Sequence, residues 1–255
     1  MHLISWNVNG LRAVQKKGFA AWLANSGAQV VALQETKAQP DQLDDELLYP
    51  PGYRSYWVSA QKKGYSGLGL YSQLEPQQVT VGLGLPEFDD EGRTLTVDYG
   101  AFVLVNAYFP SGSANPEERV PYKLAYCAAF LRHVEALRAQ GRSVIFCGDI
   151  NIAHQPIDLA RPKENVNTSG FLPEERAWLD EVERLGYVDI FRHLHPDVVA
   201  YSWWSSRGSA RAKNIGWRID HFWLTPDLVE YVVSADIHPE VEGSDHCPIS
   251  LRLTL

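Results

Sequence analysis

The sequence has few cysteines and a single methionine, and it contains no long hydrophobic run. Its three cysteines, Cys127, Cys147 and Cys247, are an odd number at wide spacings, so neither a disulfide framework nor a zinc-binding cysteine pair is supported. No apolar stretch reaches the length needed to cross a bilayer, and the first ten residues become polar too early for a signal peptide. We therefore expect a cytoplasmic protein that does not associate with a membrane.

An overall excess of basic residues is also missing, since 23 Lys and Arg stand against 31 Asp and Glu and give a net charge of -8. On average this argues against a polyanionic partner. The charges are segregated, however, because residues 1–34, 54–71 and 203–218 contain basic side chains and no acid, whereas acids gather in residues 41–46 and 87–91. If the acid-free segments converge, they form a basic face with the acids on the far side. The alternative is a set of solvated loops that point in different directions.

The length and composition predict one globular domain spanning residues 1–255. A chain of 255 residues that is 45% hydrophobic and 21% charged can bury a sizeable core, and no repeat or Pro/Gly/Ser-rich linker divides it. Helical periodicity is clearest in residues 120–141 and 171–186, with shorter helices predicted at 18–27 and 41–48.

Apolar or alternating runs predict ten strands, at residues 3–8, 30–35, 54–60, 67–72, 94–99, 102–109, 143–149, 217–224, 231–237 and 249–255. Several of these strands follow one another directly, and helices are inserted between others at intervals. This order predicts an α/β fold with two mixed β-sheets packed face to face and helices outside, and it argues against a doubly wound parallel sheet.

Polar residues recur where the predicted strands end. They are Asn7, Asn9, Glu35, Tyr108, Asp149, Asn151, Asp220, Ser244, Asp245 and His246. Each one alone has an ordinary explanation, such as a turn or a solvated carboxylate. Together they supply hard oxygen ligands without a Cys/His cluster, which favours Mg²⁺ or Mn²⁺, and an Asp–His combination that can keep an imidazole charged. This set of groups suits metal-assisted hydrolysis of a phosphodiester.

Eight ordered motifs carry a resemblance to a known family: NVNGLRA, LQETKA, KGYSGLGLYS, NAYFPSG, CGDINIAH, SGFLPEERAWLDEV, NIGWRIDHF and GSDHCPI. From about residue 3 to the C-terminus the chain resembles the exonuclease III family of DNA repair nucleases, within the endonuclease/exonuclease/phosphatase superfamily. The resemblance implies a four-layered α/β sandwich and Mg²⁺-dependent cleavage on the 5′ side of abasic sites in double-stranded DNA. It also implies 3′ to 5′ exonuclease or 3′-end trimming activity, in an enzyme that we expect to be a monomer.

The resemblance also implies roles for the strand-end residues. Glu35 is the principal metal ligand of a set that comprises Asn7, Glu35, Asp149, Asn151 and Asp245. Asp149 activates or positions the attacking water, Asn151 orients that water, and Tyr108 binds a phosphate oxygen. His246, held by Asp220, stabilises charge on the scissile phosphate. The sequence does not decide which group takes the proton; we favour Asp149, because an imidazole kept charged by Asp220 cannot accept one.

The tryptophan-rich basic segment of residues 201–220 supplies several of the expected substrate contacts. By resemblance, Trp203, Trp217 and Ile219 line an apolar pocket for an extruded abasic deoxyribose, while one of the adjacent Trp203 and Trp204 belongs to the core. The residues expected to contact DNA are Arg12, Lys37, Tyr65, Arg207, Arg211 and Lys213. For Lys37, a plain surface position is an equal alternative.

Three positions depart from the family pattern. Asn9 stands where some members have Asp, which removes one carboxylate and predicts weaker Mg²⁺ binding. Glu164 replaces a Gly and Thr168 an Asn found in many members, in a loop that approaches DNA. An acid near phosphates is unfavourable unless it points away, so these two positions put in question the affinity for abasic duplex and the ratio of endonuclease to exonuclease activity.

Two other functions remain open. One is a phosphodiesterase of the same superfamily that acts on an inositol phosphate, a sphingolipid headgroup or unspecific DNA. The other is a catalytically weak nucleic-acid-binding regulator, although such a protein should have lost ligands that are present here. The sequence also leaves open whether one or two metal ions take part.

Overall fold

The computed structural model describes residues 1–255 and contains two large β-sheets. The strands are β1 (His2–Asn7), β2 (Val30–Gln34), β3 (Arg54–Val58), β4 (Leu68–Ser72), β5 (Gln78–Val81), β6 (Thr94–Asp98), β7 (Val103–Tyr108), β8 (Val144–Asp149), β9 (Val188–Asp189), β10 (Trp203–Trp204), β11 (Gly216–Trp217), β12 (Asp220–Leu224), β13 (Val232–Ile237) and β14 (Ile249–Leu253). The first sheet has the strand order β13-β14-β1-β2-β4-β3 and the second β5-β6-β7-β8-β12-β9, while β10 and β11 form a separate pair. Both large sheets are mixed, because β1 with β2 and β7 with β8 are parallel and the other pairs antiparallel.

Helices cover the outer faces of both sheets. They are α1 (Leu11–Gln15), α2 (Phe19–Asn25), α3 (Asp45–Leu48), α4 (Pro86–Asp89), α5 (Pro116–Ala139), α6 (Pro173–Arg184) and α7 (Ile190–Leu194). No helix combines the length and the apolar character that crossing a lipid bilayer requires. The predicted α/β arrangement of two mixed sheets with helices outside is confirmed.

Alternation along the strands builds the layers. In β8, Ile145 and Cys147 join the core between the two sheets, whereas Val144 and Phe146 join the core beneath α5 and α6. In β1, Leu3 faces the second sheet and Trp6 faces α1 and α2. Because successive side chains of a strand point to opposite faces, each central strand contributes to two cores.

Most of the predicted strands are confirmed to within two residues at each end, with one clear exception. The expectation of a single strand over residues 217–224 is wrong, because Trp217 belongs to β11 and β12 begins only at Asp220. Between these strands the backbone N–H of Arg218 donates to the carbonyl of Asp158 over 2.7 Å. This N–H therefore makes no hydrogen bond to a neighbouring strand of either sheet. The short strand β5 was not predicted, because its exposed sequence has no apolar face that distinguishes it from a loop.

Sheet register brings the predicted site residues to one edge. Tyr108 lies opposite Asp149 in the parallel pair β7 and β8, and Asp149 lies opposite Asp220 in the antiparallel pair β8 and β12. In the first sheet, Asn7 ends β1 and Glu35 directly follows β2 with a left-handed φ of 55°. The carboxyl ends of the two parallel strand pairs therefore meet where the sheets face each other.

A buried ion-pair network lies next to this edge. The Arg218 guanidinium donates to Asp158 over 2.8 Å and to Asp189 over 2.6 Å, and Arg192 also donates to Asp158 over 2.6 Å. Burial alone would raise the pKa of both carboxyl groups, but the charge and hydrogen bonds of Arg218 outweigh it and hold each pKa below its ordinary value. The network joins β9, α7, the segment between β11 and β12, and the segment around Asp158.

Replacing Arg218 by Met should reverse the way acid affects stability. The variant leaves buried carboxylates without their main partner, so we expect it to lose about 3–5 kcal/mol of unfolding free energy at pH 7. In the native chain, depressed carboxyl pKa values contribute stability above about pH 4 that is lost as the pH falls further. In Arg218→Met, Asp158 keeps Arg192, whereas Asp189 loses its main partner and burial raises its pKa, so acidification from pH 7 to 5 should recover stability.

Urea unfolding at pH 5 and 7 measures this reversal. The exposed Arg184, which pairs with Glu181 one helical turn away, offers a matched control in Arg184→Met, for which we expect little change at either pH. An equal loss at both pH values in Arg218→Met would contradict the assigned role of the network.

Candidate active site

A cavity of about 360 Å³ opens where the two sheets meet at the carboxyl ends of their parallel strands. The predicted residues that line it are Asn7, Glu35, Lys37, Tyr108, Asp149, Asn151, Trp203, Trp217, Ile219, Asp245 and His246. Asp220 lies one step behind, against His246. The fold therefore brings the predicted catalytic, metal and pocket residues into one place.

Asp149 is buried at the centre of the cavity floor. It accepts hydrogen bonds from the Asn7 amide at 2.8 Å, the Asn151 side chain at 3.2 Å and the Asn151 backbone N–H at 2.9 Å. Burial nevertheless raises the pKa of the Asp149 carboxyl to about 7, against the opposing effect of His246. A carboxyl group with this pKa can accept a proton near neutral pH, which is the property required of a general base.

His246 is held as a cation by two carboxylates. Its Nδ1 donates to Asp220 over 2.8 Å, and its Nε2 lies 3.8 Å from Asp149. Burial alone would lower the pKa of His246, but the negative charges of Asp220 and Asp149 outweigh it and raise this pKa to about 10. The Ser202 hydroxyl also donates to Asp220 over 2.6 Å, so the carboxylate that orients the imidazole is itself fixed.

Tyr108 is held as a neutral hydrogen-bond donor. Its hydroxyl donates to Glu35, and burial together with the Glu35 charge raises its pKa well above the ordinary value. The buried Arg93 lies over the Tyr108 ring at 4.6 Å and donates to the Tyr108 carbonyl over 2.9 Å. Arg93 was not among the predicted site residues, because only the folded chain brings residues 93 and 108 together.

Asp245 is fixed through both of its oxygens. Asn9 donates to one oxygen over 2.9 Å, and the indole N–H of Trp203 donates to the other over 3.1 Å. Burial tends to raise the pKa of Asp245, but the charge of His246 and these hydrogen bonds lower it overall, so the group stays ionised. Trp203 therefore contacts the predicted metal site as well as the predicted pocket.

The donor atoms at this site fit a hard divalent cation. Glu35, Asp245 and Asn7 present oxygen atoms to one cavity, which is the ligand chemistry that Mg²⁺ and Mn²⁺ prefer. The Lys37 ammonium lies 3.2 Å from Glu35 and also donates to Asn9, so a positive charge is already attracted to this cluster. The Asn7 side-chain oxygen accepts from the Asn9 N–H over 2.9 Å and keeps a second lone pair for a metal.

An apolar recess adjoins the polar groups. Trp203 and Trp217 lie edge to face with ring centroids 6.3 Å apart, and both pack against Ile219 and the buried Phe171. Phe171 was not among the predicted pocket residues, because nothing in its local sequence separates it from an ordinary core position. Trp204 is buried in a separate small cluster, so the core role predicted for one of the two adjacent tryptophans falls to it.

The residues predicted to contact DNA have different surroundings. Arg12 and Arg207 are exposed, and Lys213 is exposed with its ammonium against the Gly208 carbonyl. Arg211 is held by its own protein, because its guanidinium donates to three carbonyls of the 239–244 segment and stacks on Trp204. Tyr65 accepts hydrogen bonds from Arg93 and Arg119 beside the active site. These DNA contacts remain predictions.

The acid-free segments converge only in part. Lys17 and Arg211, from the first and third segments, line one neighbouring cavity of about 480 Å³. The expectation that the acids lie on the far side is wrong for Glu91, which bonds to Arg93 and Arg119 next to Tyr65. The two guanidinium groups outweigh its charge, so this acid does not make the rim negative.

Glu164 is exposed and lies 3.7 Å from Arg161, and Thr168 lines the active-site cavity.

The sequence and the fold of this chain are both similar to those of known proteins. The profile of the Endonuclease/Exonuclease/phosphatase family matches residues 4–246. The chain is 46% identical to the exodeoxyribonuclease of Bacillus subtilis (strain 168) over the full length of both, and 39% identical to the DNA repair nuclease APEX1 of Danio rerio over all of this chain and 83% of that protein. The solved structure of an AP endonuclease from Archaeoglobus fulgidus superimposes with a TM-score of 0.91 at 26% identity and full coverage of both chains.

Replacing Asp220 by Asn should release the His246 proton at lower pH. The substitution keeps the shape of the side chain and removes the negative charge that contributes most to the raised pKa. We expect His246 to stay doubly protonated to about pH 9 in the native protein and to lose a proton clearly below that pH in Asp220→Asn.

NMR titration of the histidine ring resonances without added metal measures this shift. His133 on α5, which contacts Thr96 at a distance from the site, is an internal control whose titration should not change. Identical His246 titrations in the two proteins would show that Asp220 does not hold the imidazole as a cation.

Proposed function

Because the chain belongs to the Endonuclease/Exonuclease/phosphatase family and is a metal-dependent DNA repair nuclease, we propose that it hydrolyses the phosphodiester on the 5′ side of abasic sites in duplex DNA with Mg²⁺. One observation carries this proposal. The recess formed by Trp203, Trp217 and Ile219 opens into the same cavity as Asp149 and His246. A sugar without a base can enter this recess while the phosphate beside it meets the polar groups.

The abasic preference follows from size and energy. Extruding a nucleotide from a duplex costs a few kcal/mol, and the cost is smallest where the base is already missing. The recess is flanked by the indole rings of Trp203 and Trp217, which pack against the small buried cluster that contains Ile219 and Phe171, so we expect it to favour a small group over a purine or pyrimidine. Selection for the abasic sugar therefore requires no contact with a base.

In the proposed chemistry, Asp149 is the general base, His246 is the positive charge that faces the phosphate, and Tyr108 is a hydrogen-bond donor. Asp149 takes a proton from the attacking water, and the Asn151 amide orients that water. The water oxygen bonds to phosphorus as the bond from phosphorus to the 3′ oxygen breaks, and that oxygen takes a proton from solvent and leaves as a 3′-hydroxyl. The charged His246 faces the scissile phosphate and stabilises the negative charge that develops on its oxygens. When substrate is bound, the Tyr108 hydroxyl, which otherwise donates to Glu35, donates to a phosphate oxygen instead. Mg²⁺, held by Glu35, Asp245 and Asn7, supplies further charge stabilisation for the phosphate and the leaving oxygen when it is bound.

Activity at 3′ ends is the second part of the function. The full-length relative from Bacillus subtilis is named an exodeoxyribonuclease, and removal of a 3′-terminal nucleotide uses the same hydrolysis of a phosphodiester. The alternative of an inactive nucleic-acid-binding regulator is disfavoured, because every polar group expected for catalysis is present at the cavity. The alternative of an inositol or sphingolipid phosphodiesterase is disfavoured, because the two relatives described above are named for action on DNA.

We further infer a monomeric cytoplasmic enzyme with one catalytic domain over residues 1–255. The family match extends across residues 4–246, and one core joins the two sheets. The three cysteines are buried and unpaired, which suits a reducing compartment.

Incubation with a duplex that carries one tetrahydrofuran abasic analogue tests the proposal. We expect cleavage on the 5′ side of the analogue with Mg²⁺ and none after chelation. Asp149→Ala removes the proposed base and should lower kcat by about 100-fold to 10,000-fold. Asp197→Ala removes an exposed carboxylate outside the cavity and should keep the native rate. Absence of cleavage with Mg²⁺, or an unaltered rate in Asp149→Ala, would overturn the mechanism.

Undamaged duplexes with blunt and recessed 3′ ends separate the two activities. They are compared with the abasic duplex at equal enzyme concentration. A rate on undamaged ends that exceeds the rate on the abasic duplex would show that the 3′ to 5′ exonuclease is the main function.

Asn9→Asp should lower the Mg²⁺ concentration that gives half of the maximal rate, by about tenfold. The variant places a second carboxylate beside Asp245 and near the Lys37 ammonium. The additional negative charge increases the attraction for a divalent cation. Mg²⁺ titrations of the cleavage rate and calorimetric titration of the free protein measure it. Asn25→Asp makes the same charge change on the exposed side of α2 and should have no effect. An unchanged Mg²⁺ requirement in Asn9→Asp would count against this role of Asn9.

A further inference from the structure

Two opposite charges are completely buried behind the active-site cavity. Lys123 on α5 and Glu175 in the first turn of α6 form an ion pair of 2.7 Å, and neither side chain is accessible to solvent. Removing two charges from water costs more than most such pairs return, so a buried ion pair is weak evidence for a contribution to stability. A contribution to stability therefore does not explain why this ion pair is buried here, and its other contacts offer a different explanation.

Lys123 holds the peptide that carries Asn151. Its ammonium donates to the Asn151 carbonyl over 2.7 Å. Asn151 has a left-handed φ of 56°, a conformation that is uncommon for non-glycine residues, although asparagine adopts it more readily than most. The N–H of the same residue donates to Asp149, so the position of this peptide also affects the central carboxylate.

Glu175 holds the opposite wall of the cavity. One oxygen accepts from the Ser169 hydroxyl over 2.8 Å, and the other accepts from the N–H groups of Gly170 and Leu172. Ser169 and Gly170 both line the cavity. The Gly170 carbonyl in turn accepts from the Ala153 N–H over 2.8 Å, which closes a ring of contacts between the two walls.

The two walls lie in close contact. A methyl group added at Gly170 would lie 3.1 Å from the Trp217 ring and 3.3 Å from the Asn151 carbonyl. The ion pair thus sits beneath the point where the segment after Asp149 and the 168–172 segment come closest together.

We propose that Lys123 and Glu175 are positioning residues that set the Asn151 peptide and the Ser169–Gly170 wall at one fixed separation. Neither side chain lines the cavity, so the pair acts through the residues that it holds. This inference rests on the proposed function, because it concerns the water-orienting and sugar-binding sides of that site. A misplacement of about 1 Å in such a site can lower a rate about 100-fold.

Lys123→Met tests the anchor with a side chain of similar length and no charge or N–H group. We expect kcat on the tetrahydrofuran duplex to fall about 100-fold while KM changes less than about threefold. The variant also leaves the Glu175 carboxylate buried without its partner, so it is less stable. Lys123→Met/Glu175→Gln removes that charge and keeps an oxygen that can accept from Gly170 and Leu172. The double variant should unfold at a higher temperature than Lys123→Met and keep the low kcat.

Hydrogen exchange gives a second readout that does not depend on activity. In both variants, the amides of residues 150–153 should exchange faster than in the native protein, because the Asn151 carbonyl has lost its donor. If the native protein cleaves no abasic duplex, the proposed function fails, and the exchange measurement still decides whether Lys123 holds this segment.

Arg142 offers a matched control at the opposite end of β8. Its guanidinium also bonds to a carboxylate, Asp98, and to a backbone carbonyl, that of Gly100. Arg142→Met should keep the native kcat and alter exchange only around residues 98–101. A folded double variant with kcat within twofold of the native value would overturn the proposal, and so would unchanged exchange at residues 150–153.

Discussion

The site depends on burying two carboxylates and one imidazole together at the seam between the sheets. Asp149, Asp220 and His246 are each almost inaccessible to solvent, and any one of them alone would favour its neutral form there. Together they keep His246 charged and bring the Asp149 pKa close to neutrality. Asp149 and Asp220 come from the second sheet, whereas Asn7 belongs to the first and His246 precedes its strand β14. Neither sheet alone could build this arrangement.

Much of this could be predicted from the sequence, because strand periodicity and strand-end position are local properties. Two mixed sheets follow from the order of apolar runs, and the polar residues stand at the ends of those runs. Their separate roles in one site were predictable only through the resemblance to the exonuclease III family. Contacts between distant residues were not predictable in this way. The pairing of Lys123 with Glu175 and the bond from Trp203 to Asp245 join positions 52 and 42 residues apart. Arg211 shows the same limit, because the bonds of its guanidinium to backbone carbonyls of the 239–244 segment were not predictable, while its contact with DNA stays a prediction.

The active site also has supports that carry no chemistry themselves. Arg93 packs on the ring of Tyr108, Ser202 fixes Asp220, and the Lys123 ion pair holds the Asn151 peptide. Each support is buried and joins a different segment to the cavity. A rigid cavity of this kind suits an enzyme that must hold a flexible phosphodiester, because orientation lowers the entropic part of the barrier.

We propose that this site directs water to the phosphate on the 5′ side of an abasic sugar. Mass spectrometry of the products formed from a natural abasic duplex in ¹⁸O-labelled water tests it most directly. We expect one strand that ends in a 3′-hydroxyl and another that begins with an abasic sugar whose 5′-phosphate carries one ¹⁸O atom. A 3′ end that carries an unsaturated sugar, with no label in the phosphate, would show elimination instead of hydrolysis and would contradict it.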